Sequence, residues 1–213
     1  MSGKTTPNPA TGTPAAAART QRKVVLASTS PYRRELLERL RIPFETTSPL
    51  ADETPLAGEL PRDTALRLAH AKAQSVAGQF SDAFIIGSDQ VADLNGELLG
   101  KPGTHERARE LLARLSGKTV VFHTAVALLD ASSGACQSAM VDVRSTFRAL
   151  TRTQIDAYLA REAALDCAGA VKVEALGIAL FTSVESDDPT ALIGLPLIRL
   201  TDMLHRVGID PLG

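Results

Sequence analysis

The stretch KVVLASTSPYRRELLERL, residues 23–40, carries the two periodicities of an α/β fold back to back. The β-branched apolar run Lys23–Ala27 predicts a buried strand, because such residues pack well on a pleated surface. Ser30 is a good N-cap and Pro31 suits the first helical position. Leu36, Leu37 and Leu40 then recur at helical spacing, so one face of the helix packs on the sheet. A strand that feeds at once into a capped helix leaves free N–H groups and the positive end of the helix dipole around the turn. The turn is an anion cradle in outline, with Ser28 before the helix and Arg33 and Arg34 in its first turn.

Moving outward, SPLADETPLAGELPRD, residues 48–63, reads as a loop that carries the acids Asp52 and Glu53 over that turn. A second helix is expected from Pro61 to about Gln79, with Leu66, Ala69, Ala73 and Val76 on one side and Lys72 midway. It leads to the strand AFIIG, residues 83–87, which is expected to end on Asp89. A bare acid at the end of a buried strand costs stability unless solvent, a metal or a partner meets it. In LNGE, residues 94–97, Asn95 and Gly96 can take the positive φ of a type I′ hairpin, which would return Lys101 toward Asp89.

Further on, Thr104 caps HERARELLARLSG, residues 105–117, and Gly117 closes it. Two strands follow, at 119–130 and 138–150. In the second, Val141, Val143, Ser145 and Phe147 alternate with Asp142, Arg144, Thr146 and Arg148, the period of a half-exposed strand. Thr151 to Gln154 is a capping box that opens the helix of Tyr158. DCAGAVKVEALGIALF, residues 166–181, reads as a return to strand, and a last helix is expected between Pro196 and Gly208. Interleaved strands and helices with an antiparallel middle predict an α/β fold: a mixed, twisted sheet covered by helices on both faces.

The bulk numbers bound the function. With 213 residues, 44% of them apolar, the chain can supply one sizeable core. A formal net charge of -1 excludes a strongly basic nucleic-acid binder and confines any anion site to a local pocket. No apolar run approaches a membrane span, so the expected location is cytoplasmic. Cys136 and Cys167 show neither a CxxC nor a disulfide framework and are expected as buried small hydrophobes. Residues 1–22 contain no hydrophobic segment and no acid but several prolines. They are expected to form a disordered extension, rather than a transit peptide, ahead of a single domain at 23–213.

His70, His105, His123 and His205 make no HExxH or i, i+4 pair, which argues against a histidine-rich zinc site. GxGxxG, the P-loop motif and GxSxG are missing. What remains is a scatter of acids and bases at loop positions: Ser28, Arg33, Arg34, Asp52, Glu53, Lys72, Asp89, Lys101, Lys172 and Glu174. Such a set suits phosphate, since Arg offers forked donors, Lys a point charge, and carboxylates hold a divalent cation that bridges the same oxygens. Singly each also has a bland reading: Arg33 and Arg34 as a solvated helix face, Lys72 as a surface lysine, Asp89 as a turn former.

Taken together, LASTSPYRRELLERL, DET, AHAKA, IIGSDQV, GKP, CAGAVKVEALG and GLPL, in this order, resemble the Maf family of nucleoside triphosphate pyrophosphatases from about residue 23 to the C-terminus. Within it the chain is most similar to the 7-methyl-GTP pyrophosphatase branch. The resemblance implies an ITPase-like α/β fold. It also implies hydrolysis of a nucleoside triphosphate between its α- and β-phosphates, with a divalent metal of the Mg, Mn or Co kind. By the same resemblance Ser28, Arg33, Arg34, Lys72 and Lys101 would bind phosphate and Glu53 and Asp89 would hold the metal. Asp89 would also accept the proton. Tyr32, Gln90 and Glu174 would set base choice, and that trio is what points to a methylated guanine, whose positive ring suits an aromatic face and a carboxylate.

One departure stands out. After Glu174 the family usually has glycine, and here it is Ala175; if that backbone needs positive φ, alanine would strain it. Rival expectations are a pyrophosphatase for dTTP, UTP or CTP, and a nucleotide-binding regulator of cell division without turnover. The expected partner is the nucleotide, with no nucleic acid or membrane, and homodimers are common among similar proteins.

Overall fold

The computed structural model describes residues 22–162 and 164–213. The extension expected over residues 1–22 lies outside the described residues except for Arg22. The Arg22 guanidinium pairs with Asp130 and Asp82 and lies 4.0 Å over the Phe84 ring.

The strands are β1 (Lys23–Ala27), β2 (Glu45–Thr47), β3 (Ala83–Leu94), β4 (Glu97–Leu99), β5 (Thr119–Asp130), β6 (Cys136–Phe147) and β7 (Phe181–Glu185). They form one mixed sheet in the order β2-β1-β3-β5-β6-β7, with β4 paired to β3. β1 is parallel to both of its neighbours and the remaining pairs are antiparallel. The helices are α1 (Pro31–Glu38), α2 (Pro61–Ser75), α3 (His105–Leu115), α4 (Arg152–Leu159) and α5 (Leu197–Arg206).

Side chains that alternate along β3 and β5 feed two faces. On one lies α2 alone, with Ala65, Ala69 and Ala73 against Val25, Ile85, Ala125 and Ala127. On the other, α1 and α5 bring Leu36, Leu37, Leu200 and Leu204 onto Leu26, Ile86, Val126 and Leu128. α3 and α4 cover the far half of that face with Leu112, Leu115 and Ile155 over Phe122, Val143 and Phe147.

The structure corrects three expectations. β3 does not end on Asp89 but runs five residues past it to Leu94. β5 pairs with it along the whole length from Phe84 to Asp93, and that continuous ladder carries the strand through the acid. On the opposite edge β1 pairs only as far as Ile86 and β4 only from Ala92. Gly87 to Val91 therefore have no strand partner on that edge, and Asp89 sits in the middle of the gap. Second, the segment after Asp166 is not strand until Phe181. Gly169 and Ala170 both take positive φ, and tight helical turns occupy Ala168–Ala170 and Leu176–Leu180. Third, Cys136 is exposed at the start of β6, just past the turn at Gly134, with its Sγ 3.4 Å from His70 Nδ1. Cys167 is partly buried.

Gly87 sets how close α2 lies to the sheet. A Cβ there would stand 2.1 Å from the Ala69 carbonyl oxygen and 2.8 Å from the Ala73 nitrogen, both helix backbone. Gly87→Ala is therefore expected to lower stability by about 3 kcal/mol, at the upper end of overpacking costs, because neither backbone atom can rotate away. Urea denaturation measures this, and a loss below about 0.5 kcal/mol would mean that α2 shifts freely.

Candidate active site

The cavity opens where β1 runs into α1, beside the unpaired edge of β3. It encloses about 290 Å³ and is lined by Ser28, Tyr32, Arg33, Glu53, Lys72, Gln90, Lys101 and Glu174 among others. A contiguous recess holding Arg33, Glu53, Lys72, Gln90 and Lys101 reaches Asp89. Ser30 caps α1 by accepting from the Arg33 N–H, and Ser28 Oγ accepts from the Ser30 N–H at 3.1 Å. The β1–α1 turn is thus held by two serine hydroxyls, with the helix N-terminus at the cavity wall.

Charge converges at one point. Lys72 Nζ donates to Asp89 Oδ1 at 2.6 Å and lies 2.7 Å from Glu53 Oε1. Lys72 and Asp89 are buried, whereas Glu53 reaches in from the exposed 48–60 loop. Desolvation would raise the Glu53 carboxyl, but the Lys72 hydrogen bond and the charges of Lys72, Lys101 and Arg33 outweigh it and hold the group below the usual carboxylate range. Because one ammonium reaches both carboxylates, an oxygen of each faces a common centre; they are two of the oxygens a hard divalent cation takes, and with no group of three metal-ligating side chains among the described residues, phosphate and water would have to supply the rest. Glu53 and Asp89 therefore fit such an ion.

Arg33 is partly buried, and its Nε donates to the Gly194 carbonyl at 2.9 Å. Desolvation pulls its guanidinium below the ordinary value, against the charges of Asp89 and Glu53. Arg34 is not brought to the cavity. Neighbouring residues of a helix diverge by about 100°. Arg34 accordingly stands exposed on the outer side of α1, where Nε donates to Glu38 Oε1 at 3.0 Å. Lys101 is exposed and lines both the cavity and the recess, so the hairpin does return it.

Toward the other end lie the three residues expected to read the base. The Gln90 amide nitrogen donates to Thr124 Oγ1 at 3.0 Å and to the carbonyls of Ala191 and Leu192 at 2.9 Å each. Those acceptors fix the amide orientation and leave Oε1 without a protein donor among the described residues. Lys172 Nζ lies 5.3 Å from the centre of the Tyr32 ring and 3.5 Å from Glu162 Oε1. Burial pushes the Tyr32 phenol up, against the neighbouring Lys172 ammonium. Glu174 is exposed at the cavity rim and has no ion pair among the described residues; partial desolvation, helped by the charges of Glu162 and Glu35 and opposed by that of Lys172, shifts its carboxyl upward. Ala175 has φ -129°, outside the left-handed region, so alanine is not strained where the family usually has glycine.

Sequence reasoning missed the loop that braces these groups. Asp188 is fully buried, and its carboxylate accepts from the N–H and hydroxyl of Thr190 and from the N–H of Ile198. The loop so fixed presents Ala191 and Leu192 to Gln90, and Gly194, at φ 126°, to Arg33 and Ser88. The only local sign is an acid two residues before a Thr and ahead of Gly-Leu-Pro, which reads like any turn. His123, expected as structural or exposed, is buried away from the cavity, with Nδ1 2.8 Å from Asp142 and Nε2 3.2 Å from Asp93.

Comparison with known proteins places the chain. The model of the family described as Maf-like protein matches residues 23–207. A protein of Polaromonas sp. strain JS666 named 7-methyl-GTP pyrophosphatase is 57% identical over 204 residues, which cover 95% of this chain and 93% of that one. Proteins of the same name from Albidiferax ferrireducens and Cupriavidus metallidurans are 53% and 54% identical, over 91% of this chain and 97% and 98% of theirs. Among solved structures, the Staphylococcus aureus Ham1 protein superposes with a TM-score of 0.44 at 15% identity, over 59% of this chain and 72% of that one. No helix among the described residues is long and apolar enough to cross a membrane.

Proposed function

The chain belongs to the family of Maf-like proteins, and from that premise we propose that it is a nucleoside triphosphate pyrophosphatase acting on 7-methyl-GTP. It hydrolyses the α–β phosphoanhydride and yields 7-methyl-GMP and diphosphate, which removes a modified nucleotide from the pool. The observation that carries this reading is the meeting of Lys72, Glu53 and Asp89 at the open edge of β3, at the end of a cavity walled by Arg33 and Lys101.

In this reading the triphosphate lies along the β1–α1 turn, with the Ser28 hydroxyl, the α1 N-terminus and the Arg33 guanidinium on its oxygens. Lys72 and Lys101 meet the charge that gathers on the departing diphosphate. Asp89 takes the proton of a water that attacks the α-phosphorus, and its place in a long paired strand keeps that carboxylate fixed. Glu53 and Asp89 would hold a divalent cation of the Mg, Mn or Co kind, which when bound neutralises phosphate oxygens and makes water more acidic. Arg34 takes no part in this arrangement.

At the other end the Tyr32 ring stacks on the base, and Glu174 accepts from its N1–H and amino group. Gln90 Oε1 is a further acceptor for the same edge. A positive ring gains from Tyr32 and Glu174 what a neutral one does not. The trial is a product assay with Mg²⁺, Mn²⁺ or Co²⁺ over a panel of triphosphates that includes 7-methyl-GTP, dTTP, UTP and CTP. The expected result is diphosphate with the nucleoside monophosphate, and 7-methyl-GTP as the preferred substrate. Release of inorganic phosphate, or binding without turnover, would overturn it.

A further inference from the structure

We propose that Lys72 is an internal counter-cation that keeps the Glu53–Asp89 pair closed, so that a divalent cation gains both carboxylates only when nucleotide phosphate draws the ammonium away. The inference rests on the reading of these two acids as the metal ligands.

The Lys72 ammonium stands at hydrogen-bond distance from one oxygen of each acid, 2.6 Å from Asp89 and 2.7 Å from Glu53, with its side chain only 7% exposed. A divalent cation bound by the same two groups would need that same centre. Two cations so close in a partly desolvated recess repel strongly, so they take the place by turns. The backbone of Lys72 cannot withdraw to make room. Ala69 and Ala73, on either side of it in α2, are pressed against Gly87 of β3. Asp89 is equally fixed, two residues along the same strand. What can move is the four-carbon stem of Lys72, and the Glu53 side chain on its exposed loop. The ammonium donates one N–H to Asp89 and faces Glu53 at 2.7 Å, which leaves a third N–H with no protein acceptor among the described residues. Lys72 lines the cavity, so that third donor is the one a phosphate oxygen can engage first. The same residue then serves in turn as placeholder and as phosphate ligand.

The test reads Mn²⁺ binding to the full chain by electron paramagnetic resonance, with no turnover involved. Wild type is expected to bind free Mn²⁺ weakly and to tighten when an α,β-methylene triphosphate analogue is added. Lys72→Met is expected to bind Mn²⁺ at least about tenfold tighter than wild type without any nucleotide. Adding Glu53→Gln to that variant should abolish the gain. If Lys72→Met does not fold, Lys72→Gln removes the same charge while keeping an amide donor for the acids. Equal or weaker Mn²⁺ binding by the folded Lys72 variant overturns the proposal, and so does a gain that survives Glu53→Gln. The functional reading fails separately, by absence of diphosphate release from wild type.

Discussion

Asp89→Asn is expected to lower kcat for diphosphate release about 1,000-fold, within the range that a positioned general base supplies, while KM moves by less than about tenfold. The substitution keeps the shape of the side chain and an oxygen for the Lys72 ammonium, so the 2.6 Å contact has a neutral counterpart and α2 stays on the sheet. What it removes is the ability to take a proton, together with one negative charge toward the cation that Glu53 and Asp89 would hold. Asp89 Oδ1 is engaged by Lys72, whereas no described residue donates to Oδ2, and β3 has no neighbouring strand on this edge to cover it. A purely structural acid would be met on both oxygens, as Asp188 is, and its loss would show in stability rather than in kcat. Steady-state kinetics beside a thermal melt separates the two. A variant that melts like wild type and turns over within tenfold of it would remove Asp89 from the proton transfer.

How far the site could be read from the chain depends on whether the controlling force is local. The β1–α1 turn was legible because Ser30 and Pro31 act within one turn of helix, and the hairpin because Asn95 and Gly96 both accept positive φ. The Thr151–Gln154 capping box and the alternation of Val141 to Phe147 are local in the same sense. The course of β3 past Asp89 was not legible. It is dictated by β5, whose Ala125, opposite Asp89, lies 36 residues further along the chain, and which pairs with β3 on the other edge. The turns between Asp166 and Phe181 were missed because alternating Val171 and Val173 mimic a strand, while Gly177, packed on the Lys172 backbone, decides otherwise. Arg33 and Arg34 look equivalent in sequence, and only the angle between consecutive helix positions separates a cavity residue from an exposed one. Asp188 was invisible for a like reason, since its partners are loop N–H groups that any residue carries.

Glu174→Gln is expected to lower kcat/KM for 7-methyl-GTP about tenfold, and for UTP by less than about twofold. Gln keeps an acceptor oxygen for the base but loses the charge, and the difference between a charged and a neutral hydrogen bond is worth roughly 1–2 kcal/mol. UTP brings no positive ring, so it has little of that term to lose. Proton linkage sharpens the test. Partial desolvation pushes the Glu174 carboxyl above the ordinary glutamate value, although the residue is exposed. The charged form that attracts the methylated base is present at pH above that raised value and is lost as pH falls through it. The preference for 7-methyl-GTP over UTP should therefore decline on acidification at a higher pH than an ordinary glutamate would give. In Glu174→Gln the ratio should be flat over the same interval. Equal losses on the two substrates, or a ratio that still bends with pH in the variant, would move base selection away from Glu174 and onto Tyr32 and Gln90.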